Sequence, residues 1–245
     1  MPTDDPEVIK NAPEVLSPNI WPKEDLPELE FAFKECGQLV VSVGALLGHH
    51  VDKYAKSKLG DKYQSSLEQI IKTTRTTKSR LLHYFPIPSE GPRDVDSWCG
   101  WHNDHSALTG LVPNMFMDVA TEKEAPNPDP DAGLYAKTRD GSIVRVRLPP
   151  DALGYQIGEC TQVFTGGVVR ATPHAVRALK YPESQFLSRE TFATFMQPNW
   201  DYKLNVPEGV KADDMAVGQY KDGMTFGEFG KATINFYYSG EGGYA

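Results

Sequence analysis

The sequence predicts a mainly β protein, a core of sandwich or jelly-roll type with flanking helices. Three observations predict it. Short extended runs separated by turn signals fill the middle of the chain. A long helical period precedes them and a shorter one follows. Neither a Gly-x-Gly-x-x-Gly after a strand nor a Walker A motif occurs, so a nucleotide-binding α/β sheet is not expected.

The lead-in, residues 1–25, is rich in proline and acidic residues and has no period, so it reads as irregular. From Pro27 to Leu59, Cys36, Leu39, Val40, Val43, Leu46, Leu47, Val51 and Tyr54 recur at helical spacing and read as the buried stripe. Pro27 suits the first helical position and Gly60 the stop. His49 and His50 ride on this helix as solvated residues. A second helix covers Ser65–Thr74, with Leu67, Ile70 and Ile71 inward.

After Lys78 the texture changes. Arg80–Phe85 reads as a strand stopped by Pro86 and Pro88. Trp98, Trp101 and a short strand at Ala107–Val112 follow a Gly/Pro/Asp loop. Residues 119–132 read as a polar surface loop. Gly133–Leu148 reads as a hairpin turning at Asp140–Gly141, with Val144, Val146 and Leu148 on one face and Arg145 and Arg147 on a solvated face. Ala152–Ile157 is a strand, Gly158–Phe164 a helical turn closed by Gly166–Gly167, and 169–180 extended. Arg189–Met196 is a strand ending before Pro198. Met224–Tyr238 is a helix capped by Thr225, with Phe226, Phe229, Phe236 and Tyr237 packing.

The 245 residues carry 40% hydrophobic and 24% charged residues, which suits a packed core. The net charge of -8 argues against a nucleic-acid partner, which calls for a basic footprint. Cys36, Cys99 and Cys160 are odd in number and far apart, as in a reducing compartment. Residues 1–16 lack an apolar signal segment, and no run of 18 apolar residues suggests a membrane span. The expectation is a cytoplasmic chain with no nucleic-acid and no membrane partner.

Two constellations carry chemistry. In Gly100–Leu111, His102 and Asp104 stand at i and i+2, which on an extended segment places both on one face. A third ligand would complete the two-histidine, one-carboxylate facial triad of a non-haem iron site, and His174 is the candidate. By itself His-x-Asp is more often a bland polar turn than a metal site. Arg189 and Thr191 also share a face. A buried guanidinium there calls for a carboxylate, either an internal Asp or Glu or that of a ligand. Tyr84 could add a hydroxyl. His83 reads as a packed or exposed residue, and His105, facing opposite to Asp104, as a residue that supports the site from outside or faces solvent. Trp98, Trp101 and Phe116 line a substrate mouth or pack as aromatics.

Four ordered stretches, KSRLLHYFP (78–86), GWHNDHSALTGL (100–111), IGECTQVFTGGVVRATPHAV (157–176) and RETFATFMQPN (189–199), resemble the Fe(II)/2-oxoglutarate-dependent dioxygenase superfamily in its isopenicillin N synthase-like branch. The resemblance implies a double-stranded β-helix (jelly roll) core. It implies Fe(II) held by His102, Asp104 and His174, and 2-oxoglutarate held by Arg189, Thr191 and Tyr84. Oxidative decarboxylation would be coupled to hydroxylation or desaturation of a small-molecule substrate by O2, with ascorbate as reductant. It divides the chain into a lead-in and helical support at 1–77, an oxygenase core at 78–200 and an extension with a helix at 201–245.

Two departures from the family pattern stand out. The gap from His174 to Arg189 is long, which makes Arg177 a competing carboxylate binder. The Arg-x-Thr pattern and Pro198 favour Arg189. Only about 25 residues precede the long helix, so the pocket is more open, the chain is a short form, or it is a fragment. Two alternatives are an iron oxidase that does not use 2-oxoglutarate, which the Arg-x-Thr pair disfavours, and a non-catalytic β-helix scaffold, which the triad disfavours.

Overall fold

The alternation along a ten-residue strand near the end of the core organises the molecule. The structure is a computed structural model and describes residues 5–13, 15–215 and 217–238. Helix α1 spans Pro6–Asn11, α2 Leu29–Leu59 and α3 Leu67–Thr73. The strands are β1 Lys78–Tyr84, β2 Cys99–His102, β3 Leu108–Leu111, β4 Met115–Asp118, β5 Lys123–Ala125, β6 Gly133–Lys137, β7 Ile143–Arg145 and β8 Gly154–Ile157. Helix α4, Glu159–Phe164, precedes β9, His174–Arg177, and β10, Leu187–Met196. Helices α5, Ala212–Met215, and α6, Phe226–Tyr238, close the chain.

Among the described residues the strands form a six-stranded and a four-stranded sheet, with antiparallel pairing. This is the expected jelly roll. β10 lies at the centre of the larger sheet. It pairs with β1 along one side and with β4 and then β3 along the other. The smaller sheet runs β2-β9-β6-β7.

Side chains alternate across a strand. Arg189, Thr191, Ala193 and Phe195 of β10 line a cavity of about 1000 Å3, which residues of the smaller sheet also line. On the opposite face Phe192 meets Phe33 of α2 edge-on at 4.9 Å, and Met196 packs beside Gly44. The main apolar core joins Val40 of α2, Leu67 and Ile71 of α3, Leu108, Phe164, Met196, Phe226 and Phe229.

Helix α2 departs from the apolar stripe read in the sequence. Its buried residues are Gly37, Val40, Gly44, Ala45, Gly48 and Ala55. Leu39 and Leu46 are 57% and 65% exposed, and Tyr54 is exposed too. Close approach decides this. A Cβ on Gly44 would lie 2.5 Å from the Met196 sulfur, so the small-residue face is the one that fits the sheet. The helix begins at Leu29 after Glu28, and Pro27 lies outside it. Leu29–Lys62 is long and apolar enough, by length and composition, to cross a membrane.

Other boundaries also differ. The lead-in contains α1, capped by Asp5. Phe85 lies beyond β1 and is exposed. The 119–132 insert is partly ordered as β5, paired with β4, and it buries Asp129, which accepts the Lys180 N–H. Arg145 does not face solvent freely; it donates to Ala132 O at 2.7 Å, while Ile143 and Val144 are both exposed. Helix α6 keeps its predicted cap, in which Thr225 and Glu228 bond reciprocally, and buries Phe226 and Phe229. Phe236 is half-buried, and the Tyr237 side chain lies outside the described residues.

Candidate active site

The two histidines come together through strand register. His102 ends β2 and His174 begins β9, and the two are register partners with ring centroids 4.2 Å apart. Asp104 is not on the strand as the i, i+2 reading assumed. It lies in the loop after β2, and the first turn of α4 pins that loop. Glu159 N–H donates to Asp104 O at 2.8 Å, and Gly158 N–H donates to Ala107 O at 3.1 Å. Asp104 still converges. Its Oδ1 lies 3.9 Å from His102 Nε2 and 3.8 Å from His174 Nε2.

The hydrogen bonds fix which nitrogens face the centre. His102 Nδ1 donates to Gly100 O at 2.7 Å, and His174 Nδ1 donates to Thr172 O at 3.0 Å. Both Nε2 lone pairs therefore face inward, the tautomer a metal ligand needs. Asp104 is buried, and its Oδ2 has no hydrogen-bond partner. Three donor atoms lie within 4.8 Å of one another, a set fit for a cation. Without a cation the charges settle otherwise. Burial opposes protonation of His102, but Cys99, Gly100 O and Asp104 outweigh it and push the imidazole up to about 9. Burial pulls His174 down, and the Gln156 amide stands 3.4 Å from its Nε2.

Arg189 occupies the same cavity, 6% exposed. Tyr84 is its register partner on β1, and the guanidinium sits over the Tyr84 ring at 5.0 Å from the centroid. Burial pulls Arg189 below the ordinary arginine value and raises the Tyr84 hydroxyl. One bond reaches Asn114 Oδ1 at 3.4 Å, but Nε and Nη1 have no acceptor. A buried guanidinium with two nitrogens that lack an acceptor fits a carboxylate ligand. Thr191 also lines the cavity and donates to Val112 O at 3.2 Å.

The competing Arg177 is engaged elsewhere, with Asp131 at 3.6 Å and Arg93 O at 3.1 Å, and does not line the cavity. Trp98, Trp101 and Phe116 do not line it either. Trp98 donates to Phe85 O, Lys137 lies over the Trp101 ring, and Phe116 is buried in a small satellite core. His105 stacks on Phe226 at 5.7 Å. His83 pairs with Glu190, and His49 with Glu68. Sequence reasoning missed Glu159. It is buried beside the Asp104 loop, accepts a bond from Asn103, and burial raises its carboxyl to about 7. A glutamate directly after the Gly158 turn was the available signal.

No protein-family model matches the chain. It is 27% identical over 159 residues to the UPF0676 protein C1494.01 of Schizosaccharomyces pombe, covering 65% of this chain and 43% of that protein. A Caulobacter crescentus structure described as a 2OG-Fe(II) oxygenase family protein superposes with a TM-score of 0.65 at 23% identity, covering 91% of this chain and 64% of that one. A full-length Neurospora crassa protein solved in complex with alpha-KG superposes with a TM-score of 0.57 at 19% identity, covering 90% and 61%. The chain has the fold of the 2OG-Fe(II) oxygenases. It spans less than two thirds of the length of each of these relatives.

Proposed function

We propose that this chain is an Fe(II)/2-oxoglutarate-dependent oxygenase that hydroxylates or desaturates a small organic molecule. One observation carries the reading. A triad with both Nε2 atoms turned inward and a buried guanidinium with unanswered donors open into the same cavity. His102, Asp104 and His174 would hold Fe(II), and Arg189, with Thr191 and Tyr84, would hold the distal carboxylate of 2-oxoglutarate. When bound, these groups supply the oxidising power, with decarboxylation to succinate and CO2 coupled to O2 consumption.

The protein's part is orientation and exclusion of water. The Gly100 and Thr172 carbonyls lock the imidazole planes. The Tyr84 face holds the guanidinium in place, and the Thr191 hydroxyl can turn its proton from Val112 O to an incoming carboxylate. Leu82, Leu111, Leu134, Val176 and Ala193 make the intervening wall apolar. That wall strengthens every charge interaction inside. The segment 78–200 would carry this chemistry, and the helices before it would support the sheet.

The test is succinate formation from 2-oxoglutarate by the purified chain with Fe(II), ascorbate and O2. Slow, O2-dependent succinate release without added substrate is expected, with Arg189→Gln raising the KM for 2-oxoglutarate at least about tenfold. Iron binding with no succinate would favour an oxidase that does not use 2-oxoglutarate.

A further inference from the structure

The cavity extends beyond the residues that this reading uses. Register divides its floor into rows. Arg189 and Tyr84 form one row, and Ala193, Leu111 and Arg80 form another. Phe195 pairs with Thr109 and Lys78, and Thr109 pairs with Gln156. Gln156 is the residue within 3.4 Å of His174. Gln156 thus links this row to one triad histidine, and the β10 member of the row, Phe195, stands six residues from Arg189.

Lys78 and Arg80 both line this far end, at i and i+2 on β1. Lys78 donates to Val15 O at 3.0 Å and lies over the Trp200 ring at 5.8 Å. Arg80 lies over Phe195 at 5.3 Å. The Trp200 indole N–H is buried without an acceptor. Among the described lining residues Asp104 is the single carboxylate, against three cations, Lys78, Arg80 and Arg189. Burial and the neighbouring Arg80 charge pull Lys78 below the ordinary lysine value.

We infer that this end of the cavity receives the acid group of a small organic carboxylic acid, the substrate of the proposed oxygenase. The inference rests on that reading. Lys78 and Arg80 would bind the carboxylate while the Phe195 and Trp200 rings cover its apolar body, leaving carbon atoms turned toward the triad. Arg189 would stay free for the cosubstrate, which would reach it from the triad.

The experiment is calorimetric binding to the metal-free chain. The probes are phenylacetate, 3-phenylpropionate, hexanoate and octanoate, each against its neutral amide, with 2-oxoglutarate titrated separately. At least one carboxylate is expected to bind about tenfold or more tightly than its amide. Arg80→Gln, at an exposed position, should reduce that preference, and the pair Lys78→Met with Arg80→Gln should abolish it. In an Arg189→Gln background the Lys78 and Arg80 substitutions should still remove the preference. Loss of the preference in Arg189→Gln with retention in the double variant would overturn the inference, as would equal binding of every acid and its amide. 2-Oxoglutarate binding that Arg189→Gln leaves intact would instead overturn the oxygenase reading, and acid selectivity at Arg80 would still stand.

Discussion

His102 and His174 face each other as register partners across β2 and β9, and each donates its Nδ1 proton to a backbone carbonyl two residues earlier. Each ring is thus fixed by its own strand, and the pair by the sheet. Asp104 joins them from a loop held by α4. This division of labour leads to separable predictions.

Asp104 tests the triad. Its Oδ2 is buried with no hydrogen-bond partner, a costly arrangement for a carboxylate. Asp104→Asn should leave the metal-free protein as stable as the parent or more so. The rise in Tm that Fe(II) or Mn(II) gives the parent should disappear. Thermal melts with and without metal check both halves.

Gly158 tests how the Asp104 loop is held. A Cβ at this position would collide with the Ser106 carbonyl oxygen, which is backbone and has no rotamer to escape into. Gly158→Ala should cost about 3 kcal/mol and weaken metal binding, because Asp104 O, Ser106 O and Ala107 O all accept from the start of α4. Denaturant unfolding with metal titration measures the two effects.

Glu159 sets a pH dependence in the metal-free chain. Burial raises its carboxyl to about 7, so the folded state holds a proton that the unfolded chain gives up at the ordinary glutamate value. Stability should therefore fall as pH rises from about 4.5 through 7, by roughly 3 kcal/mol at most. Glu159→Gln should match the parent near pH 4.5 and exceed it at about pH 8. Equal pH profiles for the two proteins would contradict this origin.

The helical support depends on Asp52. Its carboxylate accepts from Tyr63 Oη at 2.5 Å, Ser66 Oγ at 3.0 Å, Leu67 N at 2.7 Å and Glu68 N at 3.0 Å. It ties α2 to the start of α3. Asp52→Ala should cost about 2–4 kcal/mol by leaving several of these donors unanswered. Urea unfolding checks it, and metal affinity should be unaffected because the triad lies on other elements.

Local pattern explains what was legible in the sequence. Arg189 and Thr191 share a face because a strand has a period of two, and β10 keeps that period across ten residues. The Gly141 and Gly166–Gly167 turns needed a positive φ and were readable for that reason. Long-range fit was not legible. Leu39 and Leu46 look like core residues until Met196 leaves room only for glycine at position 44. Nothing local to Asp104 announces that α4 captures its carbonyl, so the sequence alone does not take it off the strand. The Tyr84–Arg189 pairing is a matter of register between strands over 100 residues apart. Asp129 and Glu159 are buried acids and Asp52 a half-buried one, and their partners come from distant segments or backbone amides, so composition alone marks them as surface residues.

The central claim is that the triad and Arg189 act on one bound cosubstrate. Anaerobic visible absorption of the chain with Fe(II) and 2-oxoglutarate tests it most directly. The account predicts a weak charge-transfer band on mixing all three, absent when either small molecule is omitted, lost in His174→Ala, and needing at least about tenfold more 2-oxoglutarate in Arg189→Gln. Iron bound with no such band, or a band indifferent to Arg189, would contradict it.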